Sequence, residues 1–224
     1  MKKMKTIILA LCAGIVMTGC NNLQKGATIG AVGGAGLGAI VGKVAGNTAV
    51  GAAVGAAVGA GAGALIGKHM DKVKAQAEAV QNAQVEQITD ANGLQGVKVT
   101  FDSGILFATN SSQLNAASKA SLTQFANVLK NNSDCDVAIY GHTDNTGNDA
   151  INNPLSVKRA QAVETYLKQQ GVSAAQIRSV DGQGSSNPVA SNATAEGRKQ
   201  NRRVEVYMYA SEAMINAANN GTLQ

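Results

Sequence analysis

The sequence predicts an α+β fold: an α/β sandwich in which helices cover one face of a mixed four-stranded sheet, preceded by a glycine-zipper helical hairpin. Three observations lead there. From Gly96 onward, short runs of period-two alternation are separated by stretches of helical spacing. Before that point, glycine recurs every fourth residue. Sixteen of the 26 glycines fall in the first third of the chain, while aromatic residues are 3% of the whole.

In the C-terminal half, "VKVTF" at 97–101 alternates as a half-buried strand does. Leu114, Ser118, Leu122, Phe125 and Leu129 then fall at helical spacing, with Ser111 and Ser112 as candidate caps. "CDVAIYG" at 135–141 is a second strand. A helix is predicted from Pro154 to Gln170, with Ser156 as N-cap, Ala160, Val163 and Leu167 on its apolar face, and Gly171 as its stop. "IRSVDG" at 177–182 is a third strand, a long Gly/Ser/Asn/Pro loop follows, and "RRVEVYMYA" at 202–210 is the fourth. Residues 211–224 read as a short tail helix that frays. About 115 residues are enough for one modest core.

The glycine register runs through Gly26, Gly30, Gly34, Gly38, Gly42 and Gly46, breaks at Asn47-Thr48, and resumes at Gly51, Gly55, Gly59, Gly63 and Gly67. A spacing of four lines one helix face, and bare glycine there lets a second backbone approach closely. The break predicts a hairpin over 26–67, and the ladder is a surface for self-association. A flexible linker would not hold that register. The second arm, about 17 residues, is near the lower limit for spanning a bilayer. Residues 68–96 are polar and Ala/Gln-rich and read as a solvated helix or connector.

At the N-terminus, "MKKMK" is a positive region, "TIILALCAGIVM" an apolar one, and "TGC" ends at Cys20, the pattern of a signal peptide over 1–19. The ending resembles a bacterial lipobox, with Met17 where that motif usually has Leu. The resemblance implies acylation of Cys20, a lipidated N-terminus over 20–25, and membrane lipid as a partner. Asn21, in place of Asp, implies passage to the outer membrane. Cys12 leaves with the signal and Cys20 is taken by lipid, so Cys135 remains as a half-buried strand-edge thiol with no internal disulfide partner.

The charge is +5, yet without Lys2, Lys3 and Lys5 there remain 16 basic residues against 14 acidic ones. No basic stripe interleaves with aromatics, which argues against nucleic acid. His69 and His142 are the two histidines, and no ligand-spaced His or Cys pair accompanies them, so no metal or cofactor is expected. No serine stands in a nucleophile elbow, and "DGQG" lacks the setting of a nucleotide loop. The chain does not read as an enzyme.

One stretch is specific. "GHTDNTG", Asn152, "LS" at 155–156, "RA" at 159–160, "YLKQQGV" and "DGQGSSNPVASNATAEGRKQNRRVEV" together resemble the OmpA-like peptidoglycan-binding domain. With the lipobox and glycine ladder, the series resembles outer-membrane lipoproteins of the YiaD type. The resemblance implies a domain over 97–210 that sits in the periplasm, with peptidoglycan as partner. It implies that Asp144 and Arg159 grip the diaminopimelate of the stem peptide, aided by Asn110, Thr143, Asn152 and Arg202. Ala108 replaces the Asp usual in the run that matches "FATN". Beside the resemblance, a carboxylate and a guanidinium fifteen residues apart suit the two ends of a compact zwitterion. If Ser156 caps its helix, Arg159 lies in the first turn, where the helix dipole also favours an anion. A direct Asp144–Arg159 ion pair stapling the loop is the alternative. At the level of the whole chain, an oligomeric membrane device or assembly factor, with wall binding only positioning it, stays open. A proton-driven stator does not fit, because the ladder holds no Asp or Glu.

Overall fold

The computed structural model describes residues 58, 60–89, 93–102, 106–107 and 110–223. The signal segment, Cys20 and the ladder up to Val54 lie outside the described residues, as do Gly55, Gly59, Ala108 and Thr109.

The described chain runs α1 (Ala60–Glu78), β1 (Ala83–Thr89), β2 (Gln95–Asp102), α2 (Ala116–Asn131), β3 (Cys135–Gly141), α3 (Asp149–Gln169), β4 (Ile177–Gly182), α4 (Ala195–Asn201), β5 (Arg203–Ala210) and α5 (Glu212–Asn219). The strands form one mixed sheet in the order β1-β2-β5-β3-β4, antiparallel except for the parallel pair β3/β4. The sheet therefore has five strands rather than the four expected, and β1 is the addition.

Period-two alternation separates the two faces. On one, Val97, Met208 and Val137 lie in a row across β2, β5 and β3, and Val99, Val206 and Ile139 in the next. This row meets Leu122, Phe125 and Leu129 of α2, Ala160, Val163 and Leu167 of α3, and the buried residues of α1 and α5 in one apolar core. Phe101 and Phe125 meet edge to face at 5.5 Å. The opposite face is smaller and more polar, with Tyr140 and Tyr207 stacked edge to face at 5.7 Å.

The helix α1 carries the last in-register glycines, Gly63 and Gly67, and continues to Glu78. Ile66, Met70, Val73 and Ala77 are fully buried along one stripe of it. The stretch expected as a solvated connector is thus part of the domain: α1 packs on β1, β2 and α5, and β1 pairs with β2 along its whole length. The expectation went wrong because the Lys, Gln and Glu of this segment lie on the outer face, and four spaced apolar residues suffice for the inner one. The tail is likewise ordered into α5, capped by Ser211 and buried through Met214, Ile215 and Ala218.

Two helix starts also differ from expectation. Asn115, not Ser111 or Ser112, caps α2, its side chain accepting from the Ser118 amide at 2.9 Å. Asn148 caps α3 by accepting from the Ile151 amide at 3.2 Å, so Pro154 lies inside the helix and Ser156 within its second turn. Arg159 is therefore well past the first turn, and the helix-dipole argument for it falls.

Met70→Ala is expected to lower unfolding stability by about 2–5 kcal/mol, as large-to-small changes at closed core positions do. An unchanged denaturant midpoint would restore the connector reading.

Candidate functional site

The candidate residues converge where β3 ends. Beyond Gly141 the chain turns into a loop pinned on both sides. The His142 amide donates to the Arg203 carbonyl at 2.9 Å, and the Thr143 amide to the Gly184 carbonyl at 2.8 Å. The loop is held between the start of β5 and the segment after β4.

Glycine makes this convergence possible. A Cβ on Gly141 would meet the Ser156 carbonyl, and one on Gly182 would meet the Ser156 hydroxyl and the Val157 amide, all too close to accommodate. Bare backbone lets α3 lie directly against the strand ends. Ser156 completes the contact: its hydroxyl donates to the Asn153 carbonyl at 2.7 Å and accepts from the Gly184 amide at 3.0 Å. The serine expected as a cap is a buried joint between helix and loop.

Asp144 sits at the centre, 6% exposed. One carboxylate oxygen accepts from the Thr146 amide at 2.8 Å, the other from Arg202 Nη1 at 2.5 Å. Burial pushes its pKa up, but the Arg202 hydrogen bond, the Thr146 bonds and the charge of Arg202 outweigh that and leave it below the ordinary carboxylate value. The Asn152 amide donates to the carbonyls of Asp144 (3.3 Å) and Thr146 (3.0 Å) and so holds the loop's shape.

Arg159 is 3% exposed and is not the partner of Asp144. Its Nε donates to the Ser111 carbonyl at 3.2 Å, and its guanidinium lies 5.4 Å from the centre of the Phe107 ring. Its Nη1 is buried with no hydrogen-bond partner, as is Thr143 Oγ1. Burial and the neighbouring Arg202 charge lower its pKa, while Asp144 acts in the opposite direction. The cluster therefore sets two guanidiniums against one carboxylate. Asn110 is exposed, with φ +55°, one residue before the carbonyl that orients Arg159. Asp144, Asn152 and Arg202 are joined by direct hydrogen bonds, and Arg159 and Thr143 present unpaired polar atoms beside them.

Sequence reasoning missed the supports. Asn201 is fully buried; its Oδ1 accepts from the Val189 and Ala190 amides at 2.8 and 2.9 Å, and its Nδ2 donates to Asn192 Oδ1 at 2.8 Å. It organises the loop before α4 and sets the chain's approach to Arg202. Behind it, Arg203 Nε donates to Glu205 Oε1 at 2.7 Å, and Tyr207 donates to Glu205 Oε2 at 2.6 Å. His142 Nε2 lies 3.2 Å from the same carboxylate. Burial opposes the charge on Glu205, but His142, Arg203 and Tyr207 together hold it well below the carboxylate range. His142 is a buried member of this network, in line with a structural role. The "NRR" run was the one available signal for Asn201.

With this geometry in view, relatives can be set beside it. Residues 106–202 match the model of the OmpA family, and residues 1–71 that of the YMGG-like Gly-zipper. The outer-membrane lipoprotein YfiB of Pseudomonas aeruginosa is 36% identical over 138 residues, 62% of this chain and 79% of that protein. The chain belongs to the OmpA family. The probable lipoprotein YiaD of Escherichia coli is 36% identical over 141 residues, 63% of each chain. The peptidoglycan-binding protein ArfA of Mycobacterium tuberculosis is 48% identical over 102 residues, 46% of this chain. The chain spans 31% of ArfA's length and somewhat under two thirds of YiaD's. The solved cell wall anchor of the type VI secretion system (T6SS) of Pseudomonas aeruginosa superposes with a TM-score of 0.53 at 29% identity, covering 63% of this chain and 97% of that one. These matches are to structural, peptidoglycan-associated families and not to enzymes. YfiB is named an outer-membrane lipoprotein and YiaD a probable lipoprotein, in agreement with the series read from the sequence.

The depressed pKa of Asp144 gives a signed expectation. Its pairing contributes stability that is present above the ordinary value of 3.8 and is lost as pH falls through the lower folded value. The stability difference between wild type and Asp144→Asn, read from urea unfolding, should be constant near neutrality and shrink below about pH 4. A difference independent of pH would mean that the carboxylate is not held by Arg202.

Proposed function

We propose that this chain is a lipid-anchored outer-membrane protein whose periplasmic OmpA-family domain binds peptidoglycan non-covalently and tethers the membrane to the wall. The observation that carries the reading is the buried, unpaired Nη1 of Arg159 in a cluster short of negative charge. Such a group calls for an anionic ligand that reaches into the loop crevice. A free carboxylate beside an ammonium, the zwitterion of diaminopimelate, meets both halves of the site. The carboxylate takes Arg159, whose guanidinium is already oriented by Ser111 and Phe107, with Arg202 alongside. The ammonium takes acceptor positions on Asp144. Thr143 and Asn110 line the approach, and Asn152 keeps the loop in register. The names of ArfA, a peptidoglycan-binding protein, and of the cell wall anchor support the ligand class.

Acylation of Cys20 supplies the anchor in this reading. YfiB and YiaD, both named as lipoproteins, support it, and several acyl chains on one residue make membrane attachment stable. The Gly-zipper match over residues 1–71 keeps a second reading in play, in which the ladder self-associates in the membrane and wall binding positions the assembly. Among the described residues no helix is long and apolar enough to cross a membrane.

Asp144→Asn and Arg159→Lys are each expected to weaken binding to purified sacculi by roughly 30- to 4,000-fold, the cost of stranding one charge of a buried pair. Lysine fails here because an ammonium cannot reproduce the planar fork. Melting curves on the same proteins should show a folded domain, and retained binding with lowered stability would sink the assignment. Cys20→Ala should leave the protein unprocessed and away from the outer membrane; normal fractionation would count against the anchor.

A further inference from the structure

On the far side of the core from the loop crevice, α1 meets the turn that enters β3. Among the described residues, His69, Asp134 and Cys135 form a group whose ligand atoms all lie within 4.8 Å of one another. His69 is the second residue after the last glycine of the ladder. Its Nε2 stands 3.4 Å from Asp134 Oδ2, yet both ring nitrogens are buried and neither makes a hydrogen bond. Buried polar groups without hydrogen bonds are destabilising, so this imidazole is short of partners. Cys135, expected to be half-buried, is fully buried because its side chain faces the core, and it is free.

We propose that His69, Asp134 and Cys135 form a zinc site that fastens the helix leading from the glycine ladder to the OmpA-family domain. The donor set is one nitrogen, one sulfur and one oxygen, which suits zinc and excludes the all-oxygen coordination of calcium or magnesium. Tetrahedral zinc places its ligand atoms about 3–4 Å apart, so the present spacing needs only small side-chain shifts. The charges also balance: one thiolate and one carboxylate neutralise the dication. On binding, the Cys135 S–H bond gives way to an S–Zn bond and its proton passes to solvent. Asp134, with a 37% exposed side chain, opens the site to water, which takes the fourth position.

The turn presenting two of the ligands is already rigid. The Asn132 side chain donates to the Val128 carbonyl and to Gln76 Oε1, both at 2.7 Å, and the Asn132 backbone carbonyl accepts from the Cys135 amide at 3.1 Å and from Gln176 Nε2 at 2.9 Å. Gln76 stands two turns after His69 on α1, so helix and turn are registered before any metal arrives. The ligands come from two segments about 65 residues apart, which is why no spacing motif announces them.

The test uses the full chain, purified in detergent and freed of metal with a chelator. Titration with zinc against a chromophoric chelator should give one zinc per chain, a rise in melting temperature, and reversal by the chelator. Cobalt in its place should produce a thiolate charge-transfer band in the near ultraviolet. His69→Ala, on α1 and outside the sheet, should weaken zinc binding at least about tenfold and abolish the melting shift and the cobalt band. Cys135→Ser should do the same where it folds. No zinc binding, or binding and melting shift unchanged in His69→Ala, would overturn the site.

Discussion

The close seating of α3 on the strand ends is the contact on which the rest of the binding region depends. It exists because Gly141 and Gly182 have no side chains where the Ser156–Val157 backbone passes. Once the helix lies that close, Asn152 reaches the carbonyls of the Asp144 loop and Arg159 is carried into the crevice beside it. Ser156 locks the arrangement from within through Asn153 and Gly184. Any added bulk at these glycines would move a helix and a loop together, because packed elements shift as units.

Electrostatics then gives the crevice its character. A guanidinium buried without a carboxylate is costly, and Arg159 is held in that state by a ring face and a single carbonyl. Arg202 meanwhile engages Asp144, so the apo site is internally half neutralised. Among the described residues Arg159 has no such carboxylate within hydrogen-bond reach, and its Nη1 stays unpaired. At the start of β5, Arg203 and Tyr207 both hydrogen-bond Glu205, and His142 Nε2 lies 3.2 Å from the same carboxylate, beneath the loop. That network fixes the strand start from which Arg202 projects. The charge pattern thus divides into a balanced support and an unbalanced surface.

The docking of α1 changes how the chain's two halves relate. The helix that carries Gly63 and Gly67 buries Ile66, Met70, Val73 and Ala77 in the core of the OmpA-family domain. The end of the glycine ladder and the domain are therefore one folded body over these residues, with no slack segment between them.

By itself the sequence determined what depends on local pattern. Alternation placed β2 through β5, helical spacing placed α2 and α3, and an ordered set of motifs singled out Asp144 and Arg159 as candidates. It did not reveal β1 or the inner stripe of α1, because a helix with four buried residues among lysines and glutamines looks polar when averaged along the chain. Nor did it give the true start of α3: Pro154 reads as a helix beginning, while the capping by Asn148 depends on how the preceding loop turns. Tertiary structure alone decided that Asp144 bonds Arg202, that Arg159 rests on Phe107 and Ser111, and that His69 meets Asp134 and Cys135. These contacts join residues 48 to 66 positions apart, and their geometry comes from packing around shared glycines and a shared core, which no local period encodes.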